Sequence, residues 1–272
     1  MSLKYIVRST IITLAVVLAL ALAGCASAPT LRGTITVDGS LNVKPLAEKL
    51  ATDFISINPE VKITIQGSST AEGIKAVNAG TVDIGGASRD LKTDEPKLVT
   101  HLFARDGIAI IVHPSNTLKG LSKAEIRDIF AGKISNWKLV GGSDQTIHVV
   151  TREEATSTRT VVEEMIMQGD KISSSAIIKI ANEEQKGTVL EDPQAIGYNP
   201  FASSLDGSVK ALAIDGVEAT KDNAKNGTYP LVRPLYFLTK AEPTGLVKGY
   251  IDYCLDTKGQ QLVTDLGYAP VR

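Results

Sequence analysis

Four short segments place hydroxyls, backbone N–H groups and guanidinium groups where a β-rich run gives way to a helical one. They are Asp38-Gly39-Ser40-Leu41-Asn42, Gly67-Ser68-Ser69-Thr70, Gly86-Ala87-Ser88-Arg89-Asp90, and the stretch from Thr151 to Arg159 that contains Arg152, Glu154, Ala155, Thr156, Ser157 and Thr158. A helix N-terminus presents unpaired N–H groups and a partial positive charge, which suits an anion. Ser and Thr hydroxyls add donors, and Arg89, Arg152 and Arg159 offer forked, charge-assisted hydrogen bonds matched to the oxygen pairs of a tetrahedral anion. The competing role is helix N-capping, in which each hydroxyl contributes ~1 kcal/mol to the helix it starts. The two roles are compatible because a cap leaves other N–H groups free. Repetition over four loops, two of them carrying Arg, favours contact with an oxyanion.

The elements that must position these loops follow from periodicity. Thr34–Val37, Val61–Ile65, Val82–Gly85, Ile108–Val112, Thr146–Val150 and Leu231–Leu238 read as strands, and the almost wholly apolar Ile108–Val112 reads as a central one. Helices are predicted over Val43–Ile57, with Leu46, Leu50, Phe54 and Ile57 on one face, through Gly73–Asn78, and over Lys123–Phe130 and Thr158–Met167. Thr244–Asp265 reads as one long helical segment with Gly249 and Gly259 as weak points. Alternation of this kind builds a parallel sheet covered by helices, an α/β fold. Its loops at the strand carboxyl ends share one edge, where ligands bind.

The chain has 272 residues, 43% hydrophobic and 22% charged, enough for two lobes of ordinary size. With 29 Lys+Arg against 30 Asp+Glu the net charge is −1, so no global field recruits nucleic acid or an anionic membrane, and any anion site is local. Residues 1–24 read as a signal peptide: Lys4 and Arg8 precede an apolar run from Ile11 to Ala23, too short at about 13 residues to span a bilayer. Leu22-Ala23-Gly24-Cys25 resembles a lipobox, which makes Cys25 the expected lipidated residue and 25–32 an anchor and tether; the alternative is that Cys25 merely ends an ordinary signal peptide. The second cysteine, Cys254, reads as a buried helix residue.

Several stretches resemble the substrate-binding proteins of the Pst-type phosphate ABC transporter, within the periplasmic-binding-protein type II fold. They are Ile35 to Ser40 with Lys44 to Ala47, Gln66 to Ala76, Gly80 to Leu91, Arg152 to Arg159, Ala195 to Tyr198, Tyr229 to Tyr236 and Gly259 to Tyr268, together covering essentially the whole mature chain. The resemblance implies a two-lobed protein with two crossovers forming a hinge and the ligand between the lobes. The crossovers are expected near Ile110–His113 and Pro234–Tyr236, with lobe I at 33–111 plus 236–272 and lobe II at 112–235. It implies that Ser40, the Leu41 backbone, Thr70, Ser88, Arg89, Arg152, Thr156, Ser157 and Thr158 touch inorganic phosphate, with Glu154 orienting Arg152. It further implies a monomer without cofactor or metal, delivering phosphate to a membrane permease and held to the outer face of the cytoplasmic membrane through a lipid on Cys25.

Two departures stand out. The family's Gly-Ser-Gly-Thr loop reads Ala155-Thr156-Ser157-Thr158 here, and Ser88 stands where some members place an Asp that accepts the proton of hydrogen phosphate. The acceptor is left open among Asp90, Asp83 and Asp38. Another oxyanion, such as sulfate, molybdate or tungstate, or a phosphate-sensing role at the cell surface, are the nearest alternatives. An enzyme is disfavoured because there is no Gly-x-Ser-x-Gly elbow or Walker A pattern, and His101, His113 and His148 sit in no motif. Neither His nor Cys pairs occur at metal-ligand spacing. Aromatics at 5%, with Trp137 the single Trp, leave little to stack on a sugar.

Overall fold

The computed structural model describes residues 31–154 and 156–272, and for Ser157 the backbone alone. The expected signal peptide, Cys25 and most of the expected tether lie outside the described residues. In chain order the strands are β1 (Gly33–Gly39), β2 (Val61–Ile65), β3 (Ile84–Ala87), β4 (Val99–Val112), β5 (Gly120–Leu121), β6 (His148–Arg152), β7 (Ile177–Lys179), β8 (Ala195–Pro200), β9 (Lys210–Ile214) and β10 (Val232–Thr239). The helices are α1 (Lys44–Ile57), α2 (Thr70–Ala79), α3 (Lys123–Phe130), α4 (Ser157–Val162), α5 (Asn182–Glu191), α6 (Phe201–Ser204), α7 (Lys221–Lys225), α8 (Gly245–Leu255) and α9 (Thr257–Asp265).

The strands form one ten-stranded sheet in the order β2-β1-β3-β10-β4-β8-β6-β7, with β9 also on β4 and β5 on β9. The parallel pairing expected from the sequence forms within each half of the sheet, and antiparallel strands join the halves. β1 runs parallel to β2 and β3, and β6 parallel to β7 and β8, but β10 is antiparallel to β3 and β4, and β4 is antiparallel to β8 and β9. The reversal comes from the length of β4, fourteen residues rather than the five read from the sequence. Its first part, up to Gly107, pairs with β10, and Ile108–Val112 pairs with β8 and β9.

Among the described residues two large hydrophobic cores form, with a smaller cluster of Ile74, Val77, Ala87 and Leu238, and β4 and β10 are the strands that pass between the large ones. Phe103, Ala104, Leu235 and Phe237 belong to the core with Ile35, Val37, Leu46, Leu50 and Phe54. Ile108–Val112 and Leu231 belong to the core with Val150, Ile166, Ile196 and Tyr198. The fold is thus two-lobed and mixed α/β. Ile108–Ile111 pack in the second core.

Local differences have local causes. In α1, Leu46, Leu50 and Phe54 are buried, but Ile57, at the last turn before the Asn58 cap, is 54% exposed. The long helical segment near the C-terminus breaks at Asp256 rather than at a glycine: its carboxylate accepts from Gly259 N at 2.8 Å, capping α9. The strand expected at 146–150 runs instead from His148 to Arg152, because Val150–Arg152 pair with β7, which the periodicity did not announce. The helix expected at 158–167 is α4 followed by a π-helical turn, Glu163–Met167, ending at Gln168 with φ 50°.

β1, β3 and α2 approach closely enough to demand glycine. A Cβ on Gly73 of α2 would lie 2.8 Å from Gly39 Cα, 2.9 Å from Asp38 O and 3.0 Å from Gly86 O. This contact sets the depth at which α2 presents Thr70 beside Ser88. We predict that Gly73→Ala lowers stability by roughly 1–3 kcal/mol, the usual cost of overpacking, measured by denaturant melting; an unchanged midpoint would contradict the close packing.

Candidate functional site

The wall built on the first core is a cluster of hydroxyls and one amide. Ser40 follows β1 and Ser88 follows β3, neighbouring parallel strands, so both reach the same sheet edge. Ser40 Oγ donates to Ser88 Oγ at 2.9 Å, and Asn42 Nδ2 donates to Ser88 Oγ at 3.2 Å. Ser88 N donates to Thr70 Oγ1 at 3.2 Å. Asn42 Oδ1 is buried and has no hydrogen-bond partner. The loops differ in their capping. Ser69 Oγ accepts from Glu72 N and caps α2, whereas α1 begins at Val43 with no side-chain cap. Leu41, beside it, is 58% exposed at the cleft.

The facing wall is built on the second core around Arg152, the last residue of β6 and only 8% exposed. Its backbone N donates to the hydroxyl of buried Tyr198 at 3.2 Å, and that hydroxyl also bonds Thr151 Oγ1 at 2.8 Å. Burial pushes the Tyr198 pKa up, so the phenol stays protonated. The guanidinium donates from Nε to Lys179 O at 3.2 Å, from Nη2 to Ile180 O at 2.7 Å, and from Nη1 to Asn182 Oδ1. Three of its five N–H groups are so engaged among the described residues. All three partners are neutral.

The other arginines nearby are each matched to a carboxylate. Arg89 lines the cleft, but its fork is taken by Glu95, Nη1 to Oε2 at 2.8 Å and Nη2 to Oε1 at 2.6 Å. Arg159 donates from Nε to Glu163 at 2.7 Å, and its Nη1 supports Arg152 O at 2.9 Å. Arg233, on β10 at the cleft, forms a buried pair with Asp106 on β4, with Nε at 3.0 Å and Nη2 at 2.5 Å from Oδ2. That pair joins the two crossover strands.

The cleft between the walls measures about 960 Å³ and is lined by Ser40, Leu41, Thr70, Ser88, Arg89, Asp90, Arg152 and Thr156 among the expected residues. Thr158 is buried and does not line it, and Thr156 turns its hydroxyl to Glu153 O at 2.9 Å. The side chain of Ser157 lies outside the described residues. Glu154 is solvent-exposed, with Arg159 Nη2 as its basic neighbour at 3.6 Å, while the Arg152 guanidinium is held by the clasp from β7 and α5. Of the three candidate acceptors, Asp83 is spent on Thr36, whose N and Oγ1 donate to Oδ2 at 2.7 and 2.8 Å, and Asp38 on Gly39 N and Ser68 Oγ at 2.7 and 2.9 Å. Only Asp90 of the three lines the cleft, with Oδ1 accepting from Tyr236 OH at 2.7 Å. Burial, then Asp90, pushes that phenol up to about 12.

Sequence reasoning missed Asn42, Arg233 and Asn182 as site residues. Asn42 closes the first loop and Arg233 lies in the Tyr229–Tyr236 stretch, so both were within reach; Asn182 carries no local signal. Among the described residues no group of three or more His, Cys, Asp or Glu is placed to hold a metal.

The Arg89–Glu95 pair has a pH signature. Hydrogen bonds from Arg89, then from Lys92 N, hold the Glu95 carboxyl at about 2 against an ordinary 4.5. The folded-state pKa is depressed, so its contribution is present above about pH 4.5 and is lost as pH falls toward 2. Glu95→Gln is predicted to lower the melting temperature at neutral pH and to flatten the acid limb between pH 4.5 and 2. Parallel melting curves for the two proteins across that range would contradict this.

Comparison with known proteins gives a consistent picture. The PBP superfamily domain model matches residues 25–258. Phosphate-binding protein PstS of Bacillus subtilis (strain 168) is 36% identical over 244 residues, 88% of this chain and 81% of that protein. The crystal structure of an ABC-type phosphate transport receptor from Vibrio cholerae is similar with a TM-score of 0.80 at 32% identity, covering 87% of this chain and 99% of that one. A crystal structure with bound phosphate from Clostridium perfringens, of a protein assigned as a phosphate ABC transporter substrate-binding protein, gives a TM-score of 0.67 at 38% identity, covering 88% and 100%. With two lobes, a polar cleft between them and these relatives, the chain belongs to the PstS family of solute-binding proteins within the PBP superfamily.

Proposed function

We propose that this chain is an extracytoplasmic solute-binding protein that captures inorganic phosphate between its lobes and delivers it to the permease of an ABC importer. The observation that carries the reading is Arg152: a buried cation held by three neutral acceptors and facing a cluster of hydroxyls. An uncompensated buried charge is costly, and an anion entering the cleft removes that cost. The names of the relatives supply the identity of the anion.

In this reading the two remaining N–H groups of Arg152 take one edge of phosphate, and Ser40, Thr70, Ser88 and the backbone at Leu41 take another. The cleft is roughly thirty times the ~30 Å³ of a water molecule, so a single small anion reaches both walls only when the lobes close on it, a hinge motion. The hinge lies where β4 and β10 leave one core for the other, at 104–108 and 231–235. Arg89 acts indirectly, since Glu95 occupies its fork. Asp90 is the acceptor for the proton of hydrogen phosphate, and its other oxygen is directed by the Tyr236 hydrogen bond. Lipidation of Cys25 as the membrane anchor and a monomeric state complete the proposal; the mass of the mature N-terminus reads the lipid directly.

Calorimetric titration with phosphate, sulfate and molybdate tests the reading. Phosphate is expected to bind at submicromolar concentration, equivalent to about −8 kcal/mol or better. Arg152→Met is expected to cost about 3 kcal/mol, roughly 150-fold in affinity, and Asp90→Asn to narrow the preference for phosphate over sulfate. Absence of phosphate binding, or full affinity in Arg152→Met, would overturn it.

A further inference from the structure

We propose that Asn182, and not Glu154, is the positioning residue for Arg152, and that its neutrality keeps the guanidinium charge available to the anion. The inference deepens the oxyanion reading and rests on it. Asn182 is the first residue of α5, thirty positions along the chain from Arg152. Its side-chain oxygen accepts from Arg152 Nη1, while its backbone carbonyl accepts from Asn199 Nδ2 at 3.0 Å. Asn199 is fully buried on β8, so the amide that meets the guanidinium is fixed to the sheet of the second core. The carbonyls of Lys179 and Ile180 complete the clasp.

The distinguishing feature is charge. Arg89, Arg159 and Arg233 all spend their charge on a carboxylate: Glu95, Glu163 and Asp106 respectively. Of the carboxylates close in sequence to Arg152 and its clasp, Glu154 and Glu184 are engaged elsewhere. Glu154 leans to Arg159, and Glu184 accepts from Ile180 N at 3.2 Å. An aspartate in place of Asn182 would satisfy the same hydrogen bond and add a counter-ion, which lowers the attraction of the same guanidinium for an incoming anion. Specificity for an anion therefore depends on one side chain being an amide rather than its isosteric acid.

The test uses the full chain in mild detergent, with phosphate, sulfate and molybdate titrated into the unmodified protein, Asn182→Asp, Asn182→Ser and Glu154→Gln. Asn182→Asp preserves shape and acceptor and places a negative charge at a helix start, where it is favoured. It is expected to melt at or above the temperature of the unmodified protein yet bind phosphate at least tenfold more weakly. That separation of stability from affinity is not produced by a merely structural amide. Asn182→Ser, a shorter neutral acceptor, is expected to stay within about threefold, and Glu154→Gln to be unchanged. Phosphate affinity in Asn182→Asp equal to that of the unmodified chain would overturn the inference while leaving the phosphate reading intact. If Asn182→Asp does not fold, a tenfold or greater loss in Asn182→Ser overturns the role of neutrality instead. Failure of the unmodified chain to bind any of the three anions would remove the oxyanion reading and this inference with it.

Discussion

An arginine that is 8% exposed, with its guanidinium bound to three neutral oxygens, is an arrangement that most of a protein's interior avoids, since the desolvation of an unpaired ion costs several kcal/mol. Here much of the second core is arranged to hold it. Tyr198 fixes the backbone of Arg152, Arg159 holds its carbonyl, and β7 and α5 supply the clasp. The charge is kept in place without being cancelled. In the proposed reading that condition gives the cleft its preference for anions although the chain as a whole is nearly neutral, with a net charge of −1.

The rest of the fold brings a second set of donors to face that charge at a variable distance. Close packing of Gly39, Gly73 and Gly86 sets Ser40, Thr70 and Ser88 side by side on the first core. The cores share a sheet through β4 and β10, and the lobes also touch where Lys221 Nζ donates to Thr264 O at 2.9 Å and where Ala269, bridged to Arg105, packs in the second core. The buried Arg233–Asp106 pair ties those strands together at the cleft. In the proposed closure these two strands, paired along Val232–Thr239, carry the hinge motion.

Much of this was legible in the sequence, and the parts that were not share a cause. Ser40, Thr70 and Ser88 could be gathered in advance because β1, β2 and β3 are parallel neighbours and their carboxyl ends coincide. Apolar Ile108–Val112 was evident as a central strand, but the preceding half of β4 was not: Thr100, His101, Arg105 and Asp106 break its apolar pattern, and it is held by ladder bonds to β10 that are long-range. The family resemblance implied Glu154 as the residue that orients Arg152. Local proximity does not decide side-chain direction when a stronger clasp arrives from elsewhere, and Asn182 arrives from a helix thirty residues on. The break at Asp256 was likewise hidden, since its carboxylate starts a new helix by capping Gly259 N, without a glycine to mark the end of the one before.

The most direct measurement is a crystal structure of the chain grown with phosphate. The account predicts phosphate bridging the walls, with the two N–H groups of Arg152 not used by Lys179, Ile180 and Asn182 within about 3 Å of its oxygens and the Ser40–Ser88 cluster on its other side. Phosphate bound away from Arg152, or Arg152 drawn onto Glu154 with its clasp broken, would contradict it.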